Sequence, residues 1–230
     1  LRPSYSDGFD MGFLKQFKKF ILNSSIYFRR TYEPRQRITV ESGDFVEVNG
    51  ENTAVIKRFP VNFGSQDRLG IEANSTIRWS PTWRTNLSFN IFKSIDKGKY
   101  ENLVLDNENI SWSGNFRNNL NLPWDINTQI NIRYIAPQDS AYGTRKGFSN
   151  TSLGISKDIL NNNATININF SDVFNTGKWR WNSYTKNIST VAEYQRRKPI
   201  YKITFTYRFR QEKEIQRKGG DNYGSGGFEL

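Results

Sequence analysis

The chain has 230 residues, 36% hydrophobic and 15% aromatic, with 33 basic against 22 acidic side chains and a net charge of +11. It contains no Cys and no His, which excludes Cys nucleophiles, His-based triads, disulfides and zinc sites built on either residue. No apolar run reaches the roughly 18 residues of a membrane-spanning helix, and the basic excess comes without a helix-based or RNP-like motif, so nucleic acid is not an expected partner. The mean hydropathy of −0.72 reads as soluble, but that inference fails for a barrel, where only every second residue of a spanning strand must be apolar.

The chain starts at Leu1 without a charged or apolar leader, so a mature form or a fragment is expected. Tyr5 to Leu14 places Phe9, Met11 and Phe13 on one face and Ser6, Gly8, Asp10 and Gly12 on the other. A basic connection, Lys15 to Lys19, leads to a second strand, Phe20 to Arg30. Thr31 to Gln66 is long and polar, broken by Pro34, Gly43, Gly50 and Pro60, with a hairpin expected around Ile38–Val40 and Phe45–Val48.

Arg68 to Trp79 is the clearest internal strand: Leu69, Ile71, Ala73, Ile77 and Trp79 alternate with Arg68, Gly70, Glu72, Asn74 and Arg78. Ser80-Pro81-Thr82 turns the chain into Trp83 to Ile91, where Leu87 and Phe89 oppose Arg84 and Asn86. After a polar loop, Ile110 to Leu122 sets Trp112 and Phe116 against Asn115 and Arg117. Pro123-Trp124-Asp125 turns it into Ile126 to Tyr134, with Ile130 and Ile132 against Asn131 and Arg133. Phe148 to Ser156 and Ala164 to Ser171 follow, joined by Lys157 to Asn163. Asp172 to Pro199 is a long aromatic excursion in which Trp179-Arg180-Trp181 either extends the preceding strand or begins a hairpin. The last strand, Tyr201 to Phe209, has Tyr201, Ile203, Phe205, Tyr207 and Phe209 on one side and Lys202, Thr204, Thr206 and Arg208 on the other. Residues 210–230 form a charged, then Gly-rich, tail for which no packed element is expected.

A soluble sandwich shows the same alternation with its apolar face turned inward. Three features favour lipid. Connections alternate short and long, as in outer-membrane barrels. Aromatics gather at the two strand ends: Trp79, Trp83, Trp124 and Phe209 at the short-turn end, Trp112, Tyr134 and Tyr201 at the other. The polar faces carry Asn, Ser, Thr and Gly with scattered Arg, which suits a hydrated lumen. The expected fold is an all-β, transmembrane antiparallel β-barrel in the bacterial outer membrane. Its lipid-facing residues include Ile71, Ile77, Trp79, Trp83, Phe89, Trp112, Ile130, Tyr201, Phe205 and Phe209; its lumen-facing residues include Arg68, Glu72, Arg78, Arg84, Arg117 and Arg133. A Lys or Arg facing lipid at the midplane costs roughly 2–4 kcal/mol, which fixes the direction of the faces.

About nine spanning strands are expected, whereas single-chain bacterial barrels have even counts and leave no strand edge open in lipid. Residues 1–209 therefore read as the C-terminal part of a larger barrel, with the last strand running inward to a periplasmic C-terminus.

Several segments resemble the Bacteroidota outer-membrane β-barrel family related to TonB-dependent receptors. Leu1-Arg-Pro-Ser-Tyr-Ser-Asp7, Tyr27-Phe-Arg-Arg-Thr31, Pro60-Val-Asn-Phe-Gly64, Arg68-Leu-Gly-Ile-Glu72, Ser171-Asp-Val-Phe-Asn-Thr176 and Tyr207-Arg-Phe209 carry it, in order. The resemblance implies a barrel of about 22 strands plugged by an N-terminal domain. It implies energised uptake of a nutrient through a periplasmic TonB protein. The long loop Thr31–Gln66 and the excursion Asp172–Pro199 either bind ligand, a surface lipoprotein or other outer-membrane subunits, or simply pack as loops. The alternative is a structural or assembly subunit of an outer-membrane complex. No enzyme activity and no cofactor are expected; no carboxylate pair stands out for hydrolysis. The lumen arginines guide an anionic substrate or, more ordinarily, pair with lumen carboxylates. Asp44, Asp67 and Asp172 are oxygen donors without EF-hand spacing.

Overall fold

Extended segments with period-two patterning can satisfy their backbone polar groups only by pairing with neighbours. In the computed structural model, which describes residues 1–101, 103–141, 143–185 and 188–209, every strand pairs with at least one neighbour. The tail, 210–230, lies outside the described residues. The strands are β1 (Tyr5–Gln16), β2 (Phe20–Tyr32), β3 (Arg35–Val48), β4 (Glu51–Asn62), β5 (Ser65–Ser80), β6 (Trp83–Lys97), β7 (Lys99–Tyr100), β8 (Leu103–Val104) and β9 (Asn107–Leu122). They continue as β10 (Ile126–Ile135), β11 (Gln138–Ser140), β12 (Gly143–Arg145), β13 (Phe148–Ile159), β14 (Ala164–Ser171), β15 (Trp179–Thr185), β16 (Ile188–Tyr194) and β17 (Ile200–Tyr207).

One nine-stranded antiparallel sheet runs β1-β2-β5-β6-β9-β10-β13-β14-β17. Its members are the nine strands expected from alternation, several of them longer. β1 and β17 are its two edges. Short connections join the strands at one end: Phe17 to Lys19, Pro81-Thr82, Pro123 to Asp125, and Leu160 to Asn163. Trp124 and Asp125 adopt φ of 62° and 57°, the left-handed conformation that a tight reversal demands.

At the other end each long connection contains a hairpin. β3–β4 corrects the expected one: Ile38–Val40 and Phe45–Val48 lie on the same strand, and the chain reverses at Asn49-Gly50, with φ of 53° and 84°. That dipeptide satisfies the two positive φ angles of a type I′ turn. Gly43, at φ 79°, sits instead in the register shift between Glu41 and Phe45. Much of the expected loop after Ile91 is strand, since β6 continues to Lys97 and β9 begins at Asn107; β7–β8 lies between them. Trp179 to Trp181 begins a hairpin, and β11-β12-β15-β16 form a separate four-stranded sheet. Phe209 lies beyond the end of β17, so no strand register sets its direction.

Buried apolar side chains are few and concentrate where these hairpins meet the large sheet: Ile38 at 0% exposure, Phe63 at 3%, Val61, Leu105 and Ala136. The junction is tight. Glu33 N donates to Gly64 O at 2.9 Å, and Phe63 N to Pro34 O at 3.1 Å. A Cβ on Gly64 would lie 2.0 Å from the Lys97 carbonyl oxygen. Within the sheet, Gly70 leaves room for Tyr27, its cross-strand partner, whose ring would stand 2.5 Å from an added Cβ.

Candidate functional site

The registers sort the large sheet into two faces. On one, Ile26, Ile71, Ile91 and Trp112 form a row across four strands. Further rows join Leu87, Phe116 and Ile132, then Ile155, Ile168 and Ile203, then Ile166 and Phe205. No described element covers this face: Ile71 is 49% exposed, Phe89 43% and Phe205 60%. Ile77 is half-buried, while Trp79, Trp83, Trp112, Ile130 and Tyr201 are exposed. Phe89 and Trp112 lie 5.8 Å apart between centroids, Trp112 and Tyr134 4.7 Å, Phe170 and Tyr201 5.6 Å. Exposed apolar surface this continuous is not left against water.

Several polar residues interrupt the apolar face, Lys93 between Leu69 and Ile110 and Lys157 between Ile126 and Ile166 among them, and Asn118 is one that alternation did not single out. Asn118 shares its face with Phe116 and Leu120, and its Oδ1 accepts from Trp83 Nε1 at 2.7 Å and from Thr85 Oγ1 at 2.8 Å. Trp79 Nε1 donates to Thr85 Oγ1 at 2.9 Å, and Thr85 is 4% exposed. The sequence signal was Asn118 itself, a polar residue at apolar parity.

The opposite face is polar and carries the candidate site. Asn74, Ser88, Asn115 and Arg133 form one row; Thr76, Asn86, Arg117 and Asn131 the next; Arg78, Arg84, Asn119 and Gln129 a third. Glu72 lies opposite Asn90. Cross-strand bonds tie the face together: Thr76 Oγ1 donates to Asn86 Oδ1 at 2.9 Å, Tyr27 Oη to Asn90 Oδ1 at 3.1 Å, and Asn74 Nδ2 to Glu72 Oε1 at 2.9 Å. Three cavities open on it. The largest, about 440 Å³, is lined by Glu72, Asn90, Arg117, Asn131 and Arg133 among others. Asn74, Thr76 and Asn86 line a second of about 370 Å³, and Arg84, Asn121, Gln129 and Asn169 a third of about 280 Å³.

The structure thus brings Glu72, Arg78, Arg84, Arg117 and Arg133 onto one face, with Arg68 nearer its hairpin end. None of the five arginines forms an ion pair among the described residues. Arg78 and Arg84 are directly opposed, as are Arg29 and Arg68, arrangements that like-charge repulsion disfavours in the absence of counter-charge. The face offers amides and hydroxyls that exchange hydrogen bonds with a polar solute, and guanidinium forks that recognise oxyanions.

The three aspartates considered as oxygen donors have other partners. Asp44 takes the Lys57 ammonium at 3.3 Å and the Arg30 guanidinium meets Asp67 at 3.1 Å. Asp172 Oδ1 accepts from the backbone N–H groups of Thr176 and Gly177 at 2.9 and 3.0 Å, closing the Ser171–Thr176 turn. No cluster of three potential metal ligands occurs among the described residues.

An antiparallel sheet with a bare apolar face, a polar face, tight turns at one end and long hairpins at the other is the wall of a membrane β-barrel. The chain belongs to the outer membrane protein beta-barrel family, whose model matches residues 1–207. No curated protein and no solved structure matches it significantly. Its location is accordingly the bacterial outer membrane.

Proposed function

We propose that this chain forms the C-terminal wall of a TonB-dependent-receptor-type transporter of a member of the Bacteroidota, used for energised uptake of a nutrient. The observation that carries the reading is the polar face, where five arginines stand without carboxylate partners among described residues otherwise dominated by neutral amides. In this reading the apolar face meets lipid, the polar face lines the lumen, the hairpins lie outside and the C-terminus is periplasmic. The edges β1 and β17 cannot remain unpaired in hydrocarbon. Further strands of the same protein close them into a barrel of about 22 strands, with a plug domain inside. The wall is a conduit, with no catalytic role.

The test is binding of a purified periplasmic TonB domain to the full-length protein in detergent. Saturable binding that is lost on deleting the N-terminal contact segment supports import. Absence of binding, together with co-purification at fixed stoichiometry with other outer-membrane proteins, sinks it and favours a structural or assembly subunit.

A further inference from the structure

A separate cavity of about 270 Å³ lies where the hairpins meet the hairpin end of the polar face. It is lined by Gln66 and Arg68 of β5, Asp96 of β6, Gln138 of β11, Arg145 of β12 and Trp181 of β15. Two of these side chains are unusual. The Nε atoms of Arg68 and Arg145 are both buried and lack a hydrogen-bond partner among the described residues. Buried donors are rarely left unmatched without a reason.

Both guanidiniums are held by aromatic faces. Arg68 stacks on Phe92 at 4.6 Å and Arg145 on Trp179 at 5.4 Å. Arg145 also donates from Nη2 to Gln138 Oε1. The carboxylates in the cavity wall do not neutralise them: Asp96 accepts from Gln66 Nε2 at 2.8 Å, Asp139 from Thr144 Oγ1 at 2.6 Å, and neither ion-pairs with Arg68 or Arg145. Arg29, opposite Arg68 on β2, adds to the positive potential. Burial disfavours the charged form of Arg145, so an incoming anion relieves a cost already present.

We propose that Arg68 and Arg145 form an oxyanion site at the hairpin end of the polar face, taking the carboxylate or phosphate of a small, hydroxyl-rich ligand such as a sugar acid or sugar phosphate. Planar guanidiniums bind either group through paired N–H donors. Gln66, Gln138 and Ser140 supply hydrogen bonds for hydroxyls, and Trp181 an apolar surface for a sugar ring. The site gives the transport reading a substrate class and rests on that reading for its place at the mouth of the lumen.

The experiment is calorimetric titration of the full-length protein in detergent with glucuronate, glucose 6-phosphate and glucose. Binding of either anion or both, with glucose silent, is expected; the anion that binds distinguishes carboxylate from phosphate. Arg68→Gln and Arg145→Gln should each weaken that binding by about tenfold or more, whereas Lys57→Gln, the same charge change on the β3–β4 hairpin, should not. Heat-modifiable migration shows that each variant is folded. Silence from both anions, equal binding of glucose, or indifference to both arginine substitutions overturns the site. Loss of the site with TonB-domain binding intact leaves the transport reading standing.

Discussion

The large sheet and the hairpins above it solve opposite problems with the same backbone element. In the sheet, Ile71, Phe89, Ile203 and Phe205 lie uncovered on one face, while Asn86, Asn115 and Arg117 lie on the other. In the hairpin region, Ile38, Val61, Phe63 and Leu105 are buried and most charges are at the surface, with Lys57 on Asp44 and Arg180 on Glu193. The base of the hairpins buries its apolar side chains as a soluble protein does, and the large sheet leaves them bare. The difference shows that the sidedness of a strand is decided by what lies beyond it.

The contrast can be broken most sharply from the apolar side. Ile71→Arg puts a cation on the bare face at a cost of roughly 2–4 kcal/mol, beyond the loss of the isoleucine. Assembly of the full-length protein into a heat-modifiable barrel should fail, while Glu72→Gln, one residue along and facing the other way, should assemble normally. Equal accumulation of the two would mean that the faces are assigned the wrong way round.

A smaller, local loss is expected in the hairpin region. Ile38→Ala empties a fully buried site, costing about 2–5 kcal/mol. Because that packing belongs to the β3–β4 hairpin, the barrel should still form and resist heat, but limited proteolysis should now cut within residues 35–62. A barrel that fails to assemble would show that the two regions fold as one unit.

The smallest effect is electrostatic. Glu193 accepts a hydrogen bond from Arg180 at 2.7 Å and meets Lys178 at 3.3 Å, and these partners hold its carboxyl below the ordinary glutamate value. A depressed carboxylate contributes stability above its unfolded-state pKa and loses it as pH falls through the folded value. The protection factors of the β15–β16 amides, taken relative to the intrinsic exchange rate at each pH, should therefore fall modestly on acidification below the ordinary glutamate range, and Glu193→Gln should remove that step. The pair is exposed, so the change is small and shrinks with salt.

The large sheet was legible in the sequence because its period-two strands run from 8 to 16 residues, long enough to outweigh single exceptions. Even its short turns were marked, by Pro81 and Pro123. The hairpins were less so. Their apolar residues come in short runs among charges and breakers, with nothing to mark Ile38 as buried and Phe45 or Ile56 as exposed. Asn49-Gly50 carried the turn signal, but the breakers around Gly43 drew the reversal too early. The arginines were legible as members of the polar face; that Arg68 shares a cavity with Arg145 was not, because β12 reaches it only through a hairpin. Asn118 went unremarked in the sequence because its partner, Trp83, is 35 residues away.

That small cluster bears on how the protein sits in its bilayer. An interfacial tryptophan normally keeps its indole N–H among headgroups and water, which pins the ring at a fixed depth. Trp79 and Trp83 direct theirs to Thr85 and Asn118 instead. With both donors satisfied by the protein, neither ring needs to reach the polar zone. With the apolar face turned to lipid, as proposed, the hydrocarbon boundary can pass beyond them toward the Ser80–Thr82 turn, and the wall accommodates a thicker bilayer at this point than its aromatic residues alone would indicate.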